Sequence, residues 1–364
     1  MLEKIKRNFG FGCMRLQMDG TEVDKAEFCR MIDAFIGAGF NYFDTAHGYI
    51  DGKSEIAIRD CLTSRYDRND YVLADKLSEW YIKSEAEVRP FFENQLEICG
   101  VEYFDVYLLH CLNRENYQRY KDYKSFDILK ELKNEGKIKC IGMSFHDTAD
   151  ILDMILTEQP NIEVVQLQIN YLDYDDPDVQ SKLCYDVAVK HGKKVIVMEP
   201  VKGGALVNLP EGAIKEFEKL GDAKPVSYAL RYAATFPEVF MVLSGMGNMD
   251  MMQSNLKTMH PFVPLNGAEL ETTERVRNII REYNQIPCTK CNYCAEVCPK
   301  NVPISDLFSV YNEYALAHFT IETAKQKFLE FEIKATDCIE CGKCENICPQ
   351  NIQIREKLKM ISKM

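Results

Sequence analysis

From Asn8 to about Asn255 the chain alternates between short, nearly continuous apolar runs and longer stretches with apolar residues at three-and-four spacing. Eight runs predict strands: FGFG, NYFDTA, YVLADK, FDVYLLH, IKCIGMS, VVQLQI, KVIVMEP and FMVLSG. Between them, segments such as DKAEFCRMIDAFIGAG, SEAEVRPFFENQLEICG and PDVQSKLCYDVAVKHG predict amphipathic helices. The strands are too apolar for clean in-and-out alternation, as expected of a parallel sheet covered on both faces. Eight βα units in about 250 residues predict a closed (β/α)8 barrel of the TIM type. An open doubly wound sheet is the alternative, but no GxGxxG follows the first strand.

The pattern changes after residue 259. HPFVPLNG reads as a linker and AELETTERVRNIIREY as a connecting helix, together residues 260–285. Residues 286–364 form a small, mainly α-helical domain that is internally duplicated: CTKCNYCAEVCPKNVPI at 288–304 matches CIECGKCENICPQNIQI at 338–354. Two helices, ISDLFSVYNEYALAHF and TIETAKQKFLEF, are predicted between the copies.

Each copy contains C-x2-C-x2-C-x3-C-P. Three close thiolates wrap one face of a [4Fe–4S] cube, and the fourth reaches the other cluster. This assigns Cys288, Cys291, Cys294 and Cys348 to one cluster, and Cys338, Cys341, Cys344 and Cys298 to the second. Zinc is the alternative, though this spacing is a poor zinc ribbon. The domain resembles two-cluster ferredoxins, and the long insert between motifs points to an α-helical variant. The other seven Cys (13, 29, 61, 99, 111, 140 and 184) follow no ligand spacing and read as small core residues. A Cys111–His110 nucleophile is disfavoured, because adjacent strand residues point to opposite faces.

Charge narrows the function classes. With 44 basic and 56 acidic residues the net charge is −12, which argues against nucleic acid or an anionic membrane as the main partner. No segment approaches the ~20 apolar residues of a membrane span, and the expectation is a cytoplasmic enzyme of small-molecule chemistry.

Barrel active sites lie at the C-terminal ends of the strands. Those ends carry Asp44, Lys76, His110, Ser144 and Gln166, the first four at steps of 32, 34 and 34 residues, and Tyr49 follows Asp44 in a loop. Asp44 would hold Lys76, and Lys76 would stabilise the Tyr49 phenolate and bring the hydroxyl toward neutrality as a general acid. His110 would orient a carbonyl oxygen. Structural salt bridges at a barrel rim are the alternative reading.

These residues, with the runs FGFGCMRL, FDTAHGY followed by GKSE, LADK, YLLH, IGMSFH, VMEPVKGG and LSGMGNMDMMQSN, resemble the aldo/keto reductases, in the branch carrying a C-terminal two-[4Fe–4S] domain. The resemblance implies Tyr49 as proton donor, with Asp44, Lys76 and His110 completing a tetrad. It implies NADPH or NADH over the barrel mouth, its carboxamide held by Ser144 and Gln166, with Asp44 also facing the cofactor. It implies pyrophosphate contact for the loop Val201–Leu206, including Gly203 and Leu206, and adenosine contact for Ser244, Gly245 and Asn255. Met198 stands where many relatives stack a Tyr on the nicotinamide. No Lys or Arg occurs between Ser244 and Asn255, so NADPH preference lacks its usual cationic partner. The resemblance also implies a hairpin before the barrel, which the short N-terminus would reduce. His146 is expected near the mouth.

A hydride carries two electrons and a cluster passes one, so a ferredoxin or flavoprotein partner is expected beside the small-molecule carbonyl substrate. The alternative is an electron-transfer or partner-binding subunit independent of NAD(P), its barrel fed by an external ferredoxin or its clusters structural.

Overall fold

The computed structural model describes residues 2–221 and 223–364. The chain divides into two compact units, Met1–Pro200 with Ala229–Leu265, and Val201–Tyr228 with Asn266–Met364. Thus residues 201–228, placed by sequence within the barrel segment, group with the C-terminal part of the chain. Among the described residues no helix is long and apolar enough to cross a membrane.

In the first unit, β1 (Phe9–Gly12), β2 (Tyr42–Asp44), β3 (Val72–Leu77), β4 (Phe104–Leu112), β5 (Ile138–Phe145), β6 (Val164–Gln168), β7 (Lys194–Met198) and β8 (Val239–Gly245) close into a parallel barrel. Each strand pairs with its sequence neighbour, and β8 returns to β1 through Phe9 opposite Val242. All eight coincide with the predicted apolar runs. The interior is filled by Tyr42, Val72, Ala74, Val106, Leu108, Cys140, Val164, Ile196, Met241 and Leu243, with Ile5 packed against them. Among the described residues no strand precedes Phe9; Leu2–Lys4 is a single 3-10 turn. A hairpin of Met18–Asp19 and Glu22–Val23 lies outside the predicted strands, since two-residue strands are too short to show a period.

The interior is packed so tightly that two strand positions admit no side chain. A Cβ on Gly142 would lie 2.5 Å from Val164 Cγ2, 2.6 Å from Leu108 Cδ2 and 2.7 Å from the Val164 carbonyl oxygen. Gly10 is similarly walled in by Leu243, Met241 and Tyr42. Gly142→Val is therefore expected to destabilise the barrel by about 1–3 kcal/mol or more through overpacking, measured as a lowered urea midpoint. An unchanged midpoint would mean that β5 and β6 have slack.

The outer helices follow the predicted periodicity. Lys25–Gly37 starts at Asp24, whose side chain accepts the Glu27 N–H at 3.0 Å, and buries Phe28, Met31, Ile32 and Phe35. Cys13, Cys99, Cys140 and Cys184 are buried free thiols, and Cys111 is half-buried. The expectation fails for Cys29 and Cys61, which form a disulfide with a Cα–Cα distance of 4.8 Å. Their separation of 32 residues carries no recognisable motif, and only the packing of helix Lys25–Gly37 on the turn Arg59–Thr63 brings them together.

In the second unit, helix Glu211–Glu218 packs on Gly267–Arg281, with Arg275 Nε 3.1 Å from Glu216 Oε2. The remaining elements are helical: Ile304–Ala315, Ile321–Glu330, Ile354–Ile361 and the short turns Tyr293–Glu296 and Lys343–Asn346. The duplication is visible in the backbone. Positive φ recurs at Lys290 and Glu340, at Asn292 and Gly342, and at Asn301 and Asn351, each pair fifty residues apart. Val302 with Ile352, and Ile304 with Ile354, bury equivalent side chains in a shared core with Leu307, Phe308 and Leu358.

Candidate active site and cysteine-lined cavities

Strands β2 and β3 end side by side, and their last turns carry Asp44 and Lys76. Lys76 Nζ donates to Asp44 Oδ1 at 2.6 Å and to the Thr45 carbonyl at 2.7 Å, with both side chains buried. The same ammonium lies 4.8 Å from the centre of the Tyr49 ring. The Tyr49 and His110 rings meet edge to face at 6.0 Å. Ser78 Oγ lies 2.6 Å from His110 Nδ1, and Trp80 lies 5.0 Å from the imidazole. Tyr120 closes the end of β4, its hydroxyl donating toward the Leu77 and His110 carbonyls and accepting the His110 N–H. Asp44, Tyr49, Lys76 and His110 are thus brought together. Ser78, Trp80 and Tyr120 join them without having been singled out by sequence; the chain's one Trp, four residues past Lys76, was the available signal.

Burial dominates the electrostatics. It pushes the Tyr49 hydroxyl up to about 12 and outweighs the opposing pull of Lys76. The expected approach to neutrality is therefore not seen, and Tyr49 is a neutral phenol holding its proton beside an ammonium. Burial alone would discharge Lys76, but Asp44 and Tyr49 hold it above its ordinary value. Burial, then the Lys76 charge and His146, drive His110 well below its usual value, so the imidazole is neutral. His146 itself is pushed down to about 4 by burial.

Two buried acceptors, Asp44 Oδ2 and Gln166 Oε1, have no hydrogen-bond partner. Unmatched acceptors of this kind are costly unless a ligand supplies donors, so the mouth fits a group bearing N–H or O–H. Gln166 sits opposite Ser144 in the β5–β6 register, and its Nε2 lies 3.6 Å from Met198 Sδ. Ser144 Oγ accepts the Cys111 N–H at 2.8 Å, where β4 bulges and Cys111 takes φ of 53°. Asn255 Nδ2 donates to Ser244 Oγ at 3.1 Å. Gly245 packs on the aliphatic stem of Arg15, a neighbour that sequence proximity could not reveal: its added Cβ would lie 3.4 Å from Arg15 Cβ, while the guanidinium is paired with Glu199, Nη2 to Oε1 at 2.9 Å.

The loop Val201–Leu206 has its own reason for glycine. At φ of 62°, a Cβ on Gly203 would lie 2.3 Å from the Thr289 carbonyl oxygen. The N–H groups of Gly204, Ala205 and Leu206 donate to the carbonyls of Val201, Lys202 and Val201, and Leu206 is fully buried. These amides are engaged within the loop.

Behind Lys76 lies a buried network. Asp75 Oδ1 accepts the Lys76 N–H at 2.8 Å and Gln95 Nε2 at 3.1 Å. Gln95 Nε2 also reaches Glu55 Oε1 and the Lys76 carbonyl, at 2.9 and 3.2 Å. Burial and then the Glu55 charge raise the Asp75 carboxyl far above its ordinary value, so Asp75 is protonated and bonded to Glu55. Protonation on folding costs stability once the pH exceeds the unfolded value near 3.8, and that cost grows as pH rises. Asp75→Asn, which keeps the donor to Glu55 without an ionisable group, should raise the melting temperature at pH 7–8 and lose this advantage near about pH 4. A pH-independent effect would mean that Asp75 is ionised in the fold.

In the second unit, Cys288, Cys291, Cys294 and Cys348 line one cavity together with Thr289, Asn292 and Ile304. Cys298, Cys338, Cys341 and Cys344 line another with Lys300, Ile339 and Arg355. Each cavity thus collects three thiols from one repeat and one from the other. The N–H groups of Lys290, Glu340 and Val302 point at the sulfurs of Cys288, Cys338 and Cys298 at 3.4–3.5 Å, an arrangement that favours thiolate. Burial and neighbouring charges hold Cys344 up at about 11, and raise Cys294 and Cys348 as well. Four crowded sulfurs become thiolates together only with a cation among them, so the donor set fits an iron–sulfur cluster.

Comparison with known proteins agrees with this architecture. Residues 8–277 match the model of the aldo/keto reductase family, and residues 287–352 match that of a 4Fe-4S dicluster domain. The oxidoreductase YqkF of Bacillus subtilis is 26% identical over 279 residues, covering 68% of this chain and 85% of YqkF. The NADH-specific methylglyoxal reductase of Escherichia coli is 26% identical over 190 residues, covering 46% of this chain and 54% of that enzyme. Among solved structures, aldo-keto reductase AKR11C1 from Bacillus halodurans superimposes with a TM-score of 0.60 at 25% identity, covering 74% of this chain and 91% of that one. An aldo-keto reductase from Klebsiella pneumoniae, solved in complex with NADPH, shares the fold with a TM-score of 0.61 at 19% identity, covering 74% and 90%. With a closed eight-stranded barrel, a match over residues 8–277 and the dicluster match beyond it, the chain belongs to the aldo/keto reductase family and carries a C-terminal 4Fe-4S dicluster domain.

Proposed function

We propose that this enzyme reduces a small-molecule carbonyl, with Tyr49 delivering the proton and a nicotinamide nucleotide the hydride. The observation that carries the reading is the buried contact of Asp44, Lys76 and Tyr49, which holds a protonated phenol against an ammonium. Such a phenol gives up its proton only when negative charge develops beside it, as on the oxygen of a carbonyl receiving hydride. Lys76 then stabilises the phenolate left behind, and Asp44 fixes Lys76. The neutral His110, if it accepts the Ser78 hydroxyl at Nδ1, carries its proton on Nε2 and can orient the carbonyl oxygen. Trp80 packs against the imidazole and helps to hold its orientation. Ser144 and the orphaned Gln166 Oε1 would hold the nicotinamide amide, Met198 would contact its ring, and Ser244, Gly245 and Asn255 would take the adenosine end. The nucleotide would be NADPH or NADH, since the Arg15 guanidinium near this end is paired with Glu199.

We assign two [4Fe–4S] clusters to the two cysteine-lined cavities, where they would pass electrons singly, in a cytoplasmic protein. The test is an anaerobic titration with NADH and then NADPH, with small aldehydes and ketones as acceptors, following nicotinamide and cluster absorbance together. Carbonyl-dependent nicotinamide oxidation is expected. Absence of oxidation with both nucleotides across the panel would sink the reading.

A further inference from the structure

The duplication allows one position to be compared in two surroundings. Thr289 and Ile339 are equivalent, each following the first cysteine of its motif. Thr289, the polar one, is 3% exposed because the backbone of Gly203 lies directly against it, and Asn208 Nδ2 ties the same segment to Glu313 Oε1 at 2.6 Å. Ile339, the apolar one, is 55% exposed. This reverses the order that hydrophobicity dictates.

Among the described residues, the only charged side chains that line the same cavity as Ile339 are basic, Lys300 and Arg355, in a chain whose net charge is −12. Between Ile339 and Met364 there are five basic residues against three acidic ones. Of the acidic residues, Glu340 pairs with Lys359 at 2.6 Å and Glu345 with Arg355 at 2.7 Å. Lys300, which lines the same cavity, and Lys343 are exposed and make no ion pair among the described residues. Cys341 is the one exposed thiol among the eight motif cysteines.

We propose that the face formed by Ile339, Cys341, Lys300 and Lys343 is the docking surface of a small acidic one-electron carrier protein. This rests on the assignment of a cluster to Cys298, Cys338, Cys341 and Cys344. One electron passes from the reduced carrier to that cluster, the carrier is oxidised by one electron, and no proton or bond changes hands. An exposed apolar residue with cationic side chains beside it suits the small, transient interfaces of redox partners, steered by charge.

The experiment uses the iron-loaded protein and, as probe, a purified acidic two-[4Fe–4S] ferredoxin. Affinity is measured by anaerobic calorimetry at low and high salt, and cluster reduction by stopped-flow absorbance. Ile339→Asp should weaken binding by about tenfold or more, and the Lys300→Glu, Lys343→Glu double variant should do likewise and flatten the salt dependence. Iron content and the electron paramagnetic resonance spectrum should be unchanged in both. Ile339→Thr, which installs the residue of the first repeat, is the milder variant if Asp disturbs loading. Unaltered affinity and reduction rate in all three variants overturn the proposal. So does a wild-type dimer in sedimentation that Ile339→Asp dissolves, which would give the face to a second copy of the chain. A protein that binds no iron would instead remove the cluster assignment itself, and the proposal with it.

Discussion

Tyr49→Phe is expected to lower carbonyl turnover by about a thousandfold, within the range for loss of a positioned general acid, while leaving nucleotide affinity within about threefold. Phe keeps the ring that packs edge to face on His110 and lies beside Lys76, and removes only the hydroxyl. The fold should therefore survive, and steady-state kinetics on the purified variant measure proton delivery alone. Lys76→Met is the complementary change. It leaves Asp44 buried beside no cation, where burial already raises its carboxyl, so Asp44 should take up a proton rather than remain charged. Turnover retained within about tenfold in Tyr49→Phe would move the proton to another group, with His110 the nearest ring.

The second large effect concerns iron. Two [4Fe–4S] clusters hold about eight iron atoms per chain, and Cys348→Ser is expected to remove about four of them. Cys348 belongs to the second repeat but lines the cavity of Cys288, Cys291 and Cys294. Cys291→Ser should therefore remove the same iron, and the double variant should lose no more than either single one. Such non-additivity is the mark of residues serving one unit. Loss of nearly all iron in the double variant would show that each repeat feeds its own cluster.

Much of this architecture is legible in the chain because buried parallel strands leave a simple trace. Eight apolar runs, three of which carry Asp44, Lys76 and His110 near their C-terminal ends, give both the barrel and the ring of those residues, since one βα unit per strand brings every terminus to the same mouth. The cysteine repeats are equally plain, because metal-ligand spacing is local. What depends on tertiary contact is not legible. Cys29 meets Cys61 through helix packing, Arg15 comes to Gly245 from the far end of the barrel's sequence, and Gly203 is glycine because of the Thr289 carbonyl. The direction of the Tyr49 shift was also hidden, because proximity to Lys76 can be guessed from spacing but the depth of burial cannot.

The second compact unit is discontinuous in sequence, and this bears on how the protein is made. Helix Glu211–Glu218 and the loop around Gly203 leave the ribosome before Gly267–Arg281, Thr289 and Glu313, the partners that bury or bind them. Synthesis proceeds from the N-terminus, so residues 201–228 must wait while β8 and the rest of the barrel emerge. Cutting the chain at residue 266 therefore parts the iron–sulfur portion from segments that pack on it. A fragment beginning at residue 266 would keep the core of Val302, Ile304, Leu307, Phe308, Ile352 and Ile354, but it would leave Thr289 without the loop around Gly203 and Glu313 without Asn208.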